Sequence, residues 1–221
     1  MSHLKIITTN DGSASIFSEK FQATYHSEKG AVTESNVVFI EAGLQFRAKQ
    51  QGTTIKVFEM GFGTGLNAFL SFVFSESHKT PVSYRSIEAY PLTMDIWSSL
   101  DYSRAGASHA LFRYMHEAPW NEDIPLSPIF SLHKASGNME DFDTIEKFDV
   151  IFFDAFAPRT QPHLWGDNIV RKMFNMLVPG GILTTYCAQG EFRRCLRRHG
   201  FSIESLPGPP GKREITRATK L

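Results

Sequence analysis

Cysteine is nearly absent from this chain: two of its 221 residues, Cys187 and Cys195, stand eight apart without C-x-x-C spacing. A disulfide framework and a zinc site are therefore not suggested, and the thiols read as buried or idle. The eight histidines show no H-E-x-x-H or comparable ligand spacing, so no metal is implied. No segment reaches the ~18 apolar residues of a membrane span, and the start "MSHLKIITTNDG" has no basic flank ahead of a long apolar run. A membrane is not a partner on this reading, and the chain is placed in the cytoplasm. Repeats and low-complexity stretches are missing too. A net excess of charge is also lacking, with 23 basic and 23 acidic residues.

The balance hides an asymmetry. From Glu191 to Leu221 there are eight Lys or Arg against three Glu, a local +5 that leaves −5 on the first 190 residues. A basic edge on an acidic body suits a polyanion, while a solvated helix is the plainer account of "FRRCLRRHG". Hydrophobic residues at 42% and charged residues at 21% are ordinary for a globular protein, so global disorder is excluded.

Short β-rich segments alternate with helical ones from residue 55 onward. Strands are expected at "IKVFEM" (55–60), 82–89, 129–136, 147–156 and 181–188, and two last ones at "FSIESL" and "REITRAT" around "PGPPGK". Helices are expected at 64–77, at 91–103 with proline at its start, at 107–118, at 165–177 stopped by Pro179-Gly180-Gly181, and at "GEFRRCLRRHG" closed by Gly200. This order predicts a doubly wound, mostly parallel Rossmann-like α/β sheet over 53–221. Residues 1–52 break the pattern. They read as a small N-terminal α/β extension against the open end of the sheet, with a hairpin in "SASIFSEKFQATYHS" and a helix capped by Thr33 or Ser35.

"FEMGFGTGLN" marks the ligand edge. The first strand-to-helix turn of such a sheet faces the ligand, and glycine lets the backbone come close. A dinucleotide fingerprint would need glycine where Leu66 stands, and no Gly-Lys-Ser or Gly-Lys-Thr follows for a phosphate loop. Glu59 followed by Gly61, Gly63 and Gly65 resembles instead the first motif of class I S-adenosylmethionine-dependent methyltransferases. That cofactor has no phosphates, so it needs close backbone approach, and Glu59 orients the loop. The resemblance implies further cofactor-binding positions at Thr64, Asn67, Gly137 and Asn138. Glu88, ending the second strand, is placed to accept both ribose hydroxyl protons, with a surface carboxylate as the plainer account.

Asp154, behind Phe152 and Phe153 in "FFDAFAPRTQPHLW", is the candidate catalytic residue. Its plainer roles are an Asx-turn before Pro158 or contact with the cofactor alone. A carboxylate there can orient an amine and take up its proton. Phe156 and Trp165 are candidates to stack on a base or enclose the sulfonium, against simple core packing.

The run from "FDVIFFDAFAP" to "PGPPGKRE", with "DGSASIFSEKFQATYHSEKGAVTESNVVFIEAGL", closely resembles the methyltransferase module of the MnmC family, from about Asp11 to Glu214. The resemblance implies transfer of a methyl group from S-adenosylmethionine to the primary amine of 5-aminomethyl-2-thiouridine at the tRNA wobble position. It implies tRNA as partner, with Arg193, Arg194, Arg197, Lys212 and Arg213 on its phosphates. It further implies a stand-alone methyltransferase with no flavin. The competing readings are an aminopropyltransferase of the polyamine synthase type and a non-catalytic cofactor-binding protein. Polyamine synthases would want a second acidic residue beside the catalytic one, which the sequence after Asp154 does not offer.

Overall fold

The computed structural model describes residues 4–50, 52–102 and 105–221. Strands β4 (Ile55–Met60), β5 (Val82–Glu88), β7 (Phe130–Ser136), β8 (Phe148–Phe153) and β9 (Leu177–Thr185) pair in parallel. β6 (Asp123–Ser127) joins β7 antiparallel, and β11 (Glu214–Lys220) is antiparallel to both β9 and β10 (Phe201–Pro207). The eight strands run in the order β10-β11-β9-β8-β4-β5-β7-β6. Because the chain steps from β4 to β5 on one side and returns to β8 on the other, the sheet reverses direction beside β4. That reversal opens a crevice outside its carboxyl end.

Helices cover both faces. On one side Phe58, Ile151 and Phe153 meet α6 (Asp167–Met176) and α7 (Gly190–Arg198). The other side, with Val57, Tyr84 and Phe152, meets α3 (Leu66–His78), α5 (His109–Glu117) and an N-terminal helix. Burying each such phenylalanine stabilises the fold by about 1.5–3 kcal/mol.

The N-terminal helix runs through α1 (Ala31–Ser35), a π-helical stretch Asn36–Gln45 and α2 (Phe46–Ala48). A Cβ on Gly43 would lie 2.9 Å from Phe152 and 3.2 Å from Thr184, so glycine lets this helix press onto the sheet. Before it, β1 (Leu4–Thr8), β2 (Ala14–Ser18) and β3 (Ala23–Thr24) form a three-stranded antiparallel sheet. The hairpin is present, with a third strand that the sequence pattern did not suggest.

Several boundaries differ from expectation. Neither Thr33 nor Ser35 caps the helix, which starts after Gly30. Its amides are satisfied from a distant loop: Thr33 N donates to Asp11 Oδ2 at 3.0 Å, and Ala31 N and Val32 N donate to Ser13 Oγ. The helix expected over 91–103 is confined to α4 (Met94–Trp97) with Thr93, not a proline, at its cap, and residues 103 and 104 lie outside the described residues. Pro179-Gly180-Gly181 does not stop α6, which ends at Met176; those residues form an irregularity inside β9.

Candidate active site

The turn after β4 is built for a sharp exit. Gly61 has φ +95°, and a Cβ there would stand 3.1 Å from the Asp154 carbonyl, so only glycine lets the ends of β4 and β8 lie this close. Gly63 has φ +51° and donates its N–H to Glu88 Oε2 at 2.9 Å. Gly65 ends the turn as the left-handed cap of α3. It abuts Phe62 and His116 rather than open space, so its role is packing of the turn.

A cavity of about 420 Å³ opens over this turn. Gly61, Gly63, Thr64 and Asn67 line it from the β4–α3 side, Glu88, Gly137 and Asn138 from the ends of β5 and β7, and Asp154 and Phe156 from the end of β8. Glu88 is firmly oriented, since Oε1 accepts Tyr90 N at 2.7 Å while Oε2 takes Gly63 N. Burial pushes its carboxyl up, against the opposing pull of the Gly63, Tyr90 and Ala89 amides. Three amides thus act on its two oxygens, and the acceptor capacity that remains is open to a further donor.

Glu59 lies beneath the cavity, fully buried. The amide of Asn67 bridges it to the floor: Nδ2 donates to Glu59 Oε1 at 3.0 Å and to Asp154 Oδ2 at 2.8 Å. Burial, reinforced by the Asp154 charge, raises the Glu59 carboxyl well above the usual range. Asp154 is pushed up to about 7, first by burial and then by the negative charge of Glu34, while Asn67 and Lys212 hold it down. Both carboxyls are thus raised, and each one's charge opposes ionisation of the other. No Asx-turn forms; the Asp154 carboxylate is held by Asn67 instead.

The loop carrying Asp154 is pinned at three points. Tyr186 Oη donates to Ala155 O at 2.7 Å, Trp165 Nε1 donates to Phe156 O at 2.8 Å, and Phe156 N donates to Gln161 Oε1 at 3.2 Å. Trp165 is buried between Phe153 and Phe192, so the packing account applies to it and its ring does not reach the cavity. Phe156 does reach it, and meets Phe21 at 4.6 Å and Tyr25 at 5.1 Å between ring centroids.

Those two rings were not expected. The N-terminal segment supplies Phe21, Tyr25, His26 and Glu34 to the cavity wall. Glu34 gave no local signal, because expected caps at Thr33 or Ser35 leave it at the edge of the helix, whereas it lies inside α1 beside buried Ala31 and Ser35. Its Oε2 accepts Ser27 N at 2.7 Å and its Oε1 accepts from Lys212 Nζ. His26 bonds Ser15 and Thr64, and burial pushes its imidazole down to about 4, so it is neutral.

The basic edge is less uniform than the sequence implied. Arg193 is spent internally on Glu214, Thr216, Ser205 and the Ile215 carbonyl. Arg194 pairs with Glu191, whereas Arg197 and Arg213 are exposed, and none of the four lines the cavity. Lys212 turns inward to the cavity rather than outward. Among the described residues, the donor atoms of Asp167, Cys195 and His199 gather within 4.8 Å, but Arg198 bonds both Asp167 oxygens at 3.2 and 3.3 Å. That network ties the start of α6 to the end of α7. No helix among the described residues is long and apolar enough to cross a membrane.

Comparison with known proteins bears on this geometry. A family described as S-adenosyl-L-methionine-dependent methyltransferase matches residues 122–221. The tRNA 5-methylaminomethyl-2-thiouridine biosynthesis bifunctional protein MnmC of Stutzerimonas stutzeri (strain A1501) is 28% identical over 220 residues, covering 90% of this chain and 32% of that protein. The chain thus spans about a third of the length of the curated relatives it matches. The crystal structure of MNMC2 from Aquifex aeolicus superposes with a TM-score of 0.77 at 24% identity, over 99% of this chain and 70% of that one. Spermidine synthase from Thermotoga maritima shares the fold at a TM-score of 0.61 and 14% identity, over 100% of this chain and 70% of that one. The mixed sheet of this chain is the fold that these two structures share.

Proposed function

We propose that this MnmC-like chain transfers a methyl group from S-adenosylmethionine to the primary amine of 5-aminomethyl-2-thiouridine at the tRNA wobble position. The observation that carries the reading is Asp154: a raised carboxylate, fixed by Asn67, shares one cavity with the glycine turn and Glu88. The sequence similarity to MnmC supplies the substrate class.

The residues present fit the cofactor. Glu88 would hold the ribose hydroxyls with its remaining acceptor capacity, Gly61 and Gly63 would let the backbone approach, and the Asn138 amide would face the base. When bound, the cofactor supplies a methyl carbon activated by its sulfonium. Asp154 orients the acceptor amine and takes up its proton, directly or through water. An amine must be neutral to attack, and a carboxyl that ionises near neutrality is matched to that transfer. Glu59 lies beneath it, its carboxyl raised by burial and by the Asp154 charge. Phe156, Phe21 and Tyr25 form an aromatic wall against which a nucleobase can pack. Exposed Arg197 and Arg213 are the basic-edge residues left for phosphates, where they position tRNA without reading bases.

Aminopropyl transfer is the second reading, because Glu34 brings a second acid to the cavity that the sequence around Asp154 does not show. Its carboxylate is already engaged by Lys212, which opposes its grip on a polycation. Purified protein, methyl-labelled cofactor and tRNA from cells blocked at this step should place label in the 5-methylaminomethyl nucleoside. Transfer of an aminopropyl group from the decarboxylated cofactor to putrescine, with no labelled nucleoside, would replace the proposal with its rival.

A further inference from the structure

We propose that Glu34 and Lys212 are positioning residues for the amine transfer, an ion pair joining the two ends of the chain that sets the field at the Asp154 carboxylate. The inference rests on the reading of Asp154 given above.

The pair is built, not incidental. Glu34 sits in α1 with its side chain only 8% exposed, and Lys212 comes from the turn between β10 and β11 with 28% exposed. The turn is held by Gly208 N to Arg213 O at 3.1 Å and Lys212 N to Pro209 O at 2.9 Å. A Cβ on Gly208 would meet the Lys212 carbonyl at 2.3 Å, and one on Gly211 would meet Lys29 at 2.8 Å. Glycine at these two places lets the turn close and dock on the segment just before α1. The Lys212 ammonium also lies 4.9 Å from the ring centroid of Tyr186, whose hydroxyl holds the Ala155 carbonyl beside Asp154.

Both partners line the same cavity as Asp154. The groups facing that carboxylate are Glu59 from β4, Tyr84 from β5, Tyr186 after β9, Glu34 from α1 and Lys212 from the turn, with the neutral Asn67 as its hydrogen-bond donor; His26 in turn feels the charges of Glu34, Asp11 and Lys212. Of these, Glu34 and Lys212 act on Asp154 in opposite senses: the glutamate favours its protonated form and the lysine its ionised form. An ion pair cancels at a third group only where that group is equidistant from its two charges. Two substitutions should therefore move one carboxyl in opposite directions, which a purely structural clasp would not do.

The test is carboxyl ¹³C NMR titration of Asp154, assigned by its loss in Asp154→Asn, together with the acidic limb of kcat/KM for tRNA. Glu34→Gln should shift both to lower pH and Lys212→Met to higher pH. At pH 6 this gives roughly threefold more and threefold less activity relative to each variant's plateau, the change about half a pKa unit produces. Ionisation of the free substrate amine is common to all variants and drops out of the comparison. Lys212→Arg keeps the charge and should leave the limb in place, and thermal melts identify any variant that fails to fold. Turnover by the parent protein with unmoved titrations in both variants overturns the pair's role and leaves the methyl-transfer reading standing. Absence of turnover in the folded parent protein, with the opposite NMR shifts present, overturns the methyl-transfer reading and this role with it.

Discussion

Asp154→Asn is expected to lower kcat by about a hundred- to ten-thousandfold, the range for removing a positioned general base, while cofactor affinity changes little. Asparagine keeps the shape and an oxygen for Asn67 Nδ2, so the loop held by Tyr186, Trp165 and Gln161 should not move. What disappears is the capacity to take a proton. Stability provides an independent check of sign. A carboxyl raised from 3.8 to about 7 on folding binds more protons in the native than in the unfolded state between those values. Native stability is therefore lost as pH rises through that window. Asp154→Asn removes this penalty, so its melting temperature at pH 8 should equal or exceed that of the parent protein. A variant with unchanged kcat would remove Asp154 from the chemistry.

Glu88→Ala should weaken cofactor binding by about 150-fold or more. Hydrogen bonds to a charged group contribute about 1.5–3 kcal/mol, and the two ribose bonds would be lost along with the anchor of the Gly63 and Tyr90 amides. The comparison with Glu88→Gln separates these effects. Glutamine retains an oxygen to accept one of the two amides, so part of the turn's order survives, and the loss should be smaller than for alanine. Calorimetric titration with S-adenosylhomocysteine reads both. Equal affinity for parent and alanine variant would place the ribose elsewhere.

How much of this was legible depended on whether a feature was local. The β4 strand, its glycine turn and α3 follow from an apolar run, three glycines and an apolar helix in immediate succession, and they fall within two residues of expectation. The start of α1 was not legible, because its cap comes from Asp11 and Ser13, some twenty residues earlier and in another element. β6 was hidden by Pro125, which reads against a strand, yet β6 is the edge of the sheet, where a missing N–H is tolerated. The helix expected over 91–103 is a single turn, started late after Thr93 in extended backbone and ended at Ser98.

The site divides in the same way. Glu59, Gly61, Gly63, Glu88 and Asp154 lie at strand ends, where the topology alone brings them together. Glu34 and Lys212 are 178 residues apart and meet only because the final hairpin folds back over α1. Nothing in the local sequence of either predicts that contact. The arginines of α7 illustrate the reverse error. Their paired spacing suggests one basic face, but Arg193 is consumed by β11, and Arg194 and Arg198 by carboxylates on their own or the adjoining helix. Formal charge in a sequence does not distinguish a cation available to tRNA from one already neutralised.

The most direct test is calorimetric titration of the folded protein with S-adenosylmethionine. One molecule bound per chain, with the affinity reduced by Glu88→Ala and preserved by Asp154→Asn, is the result the account predicts. A well-folded protein that releases no heat with this nucleoside or with its demethylated product would contradict the account at its foundation.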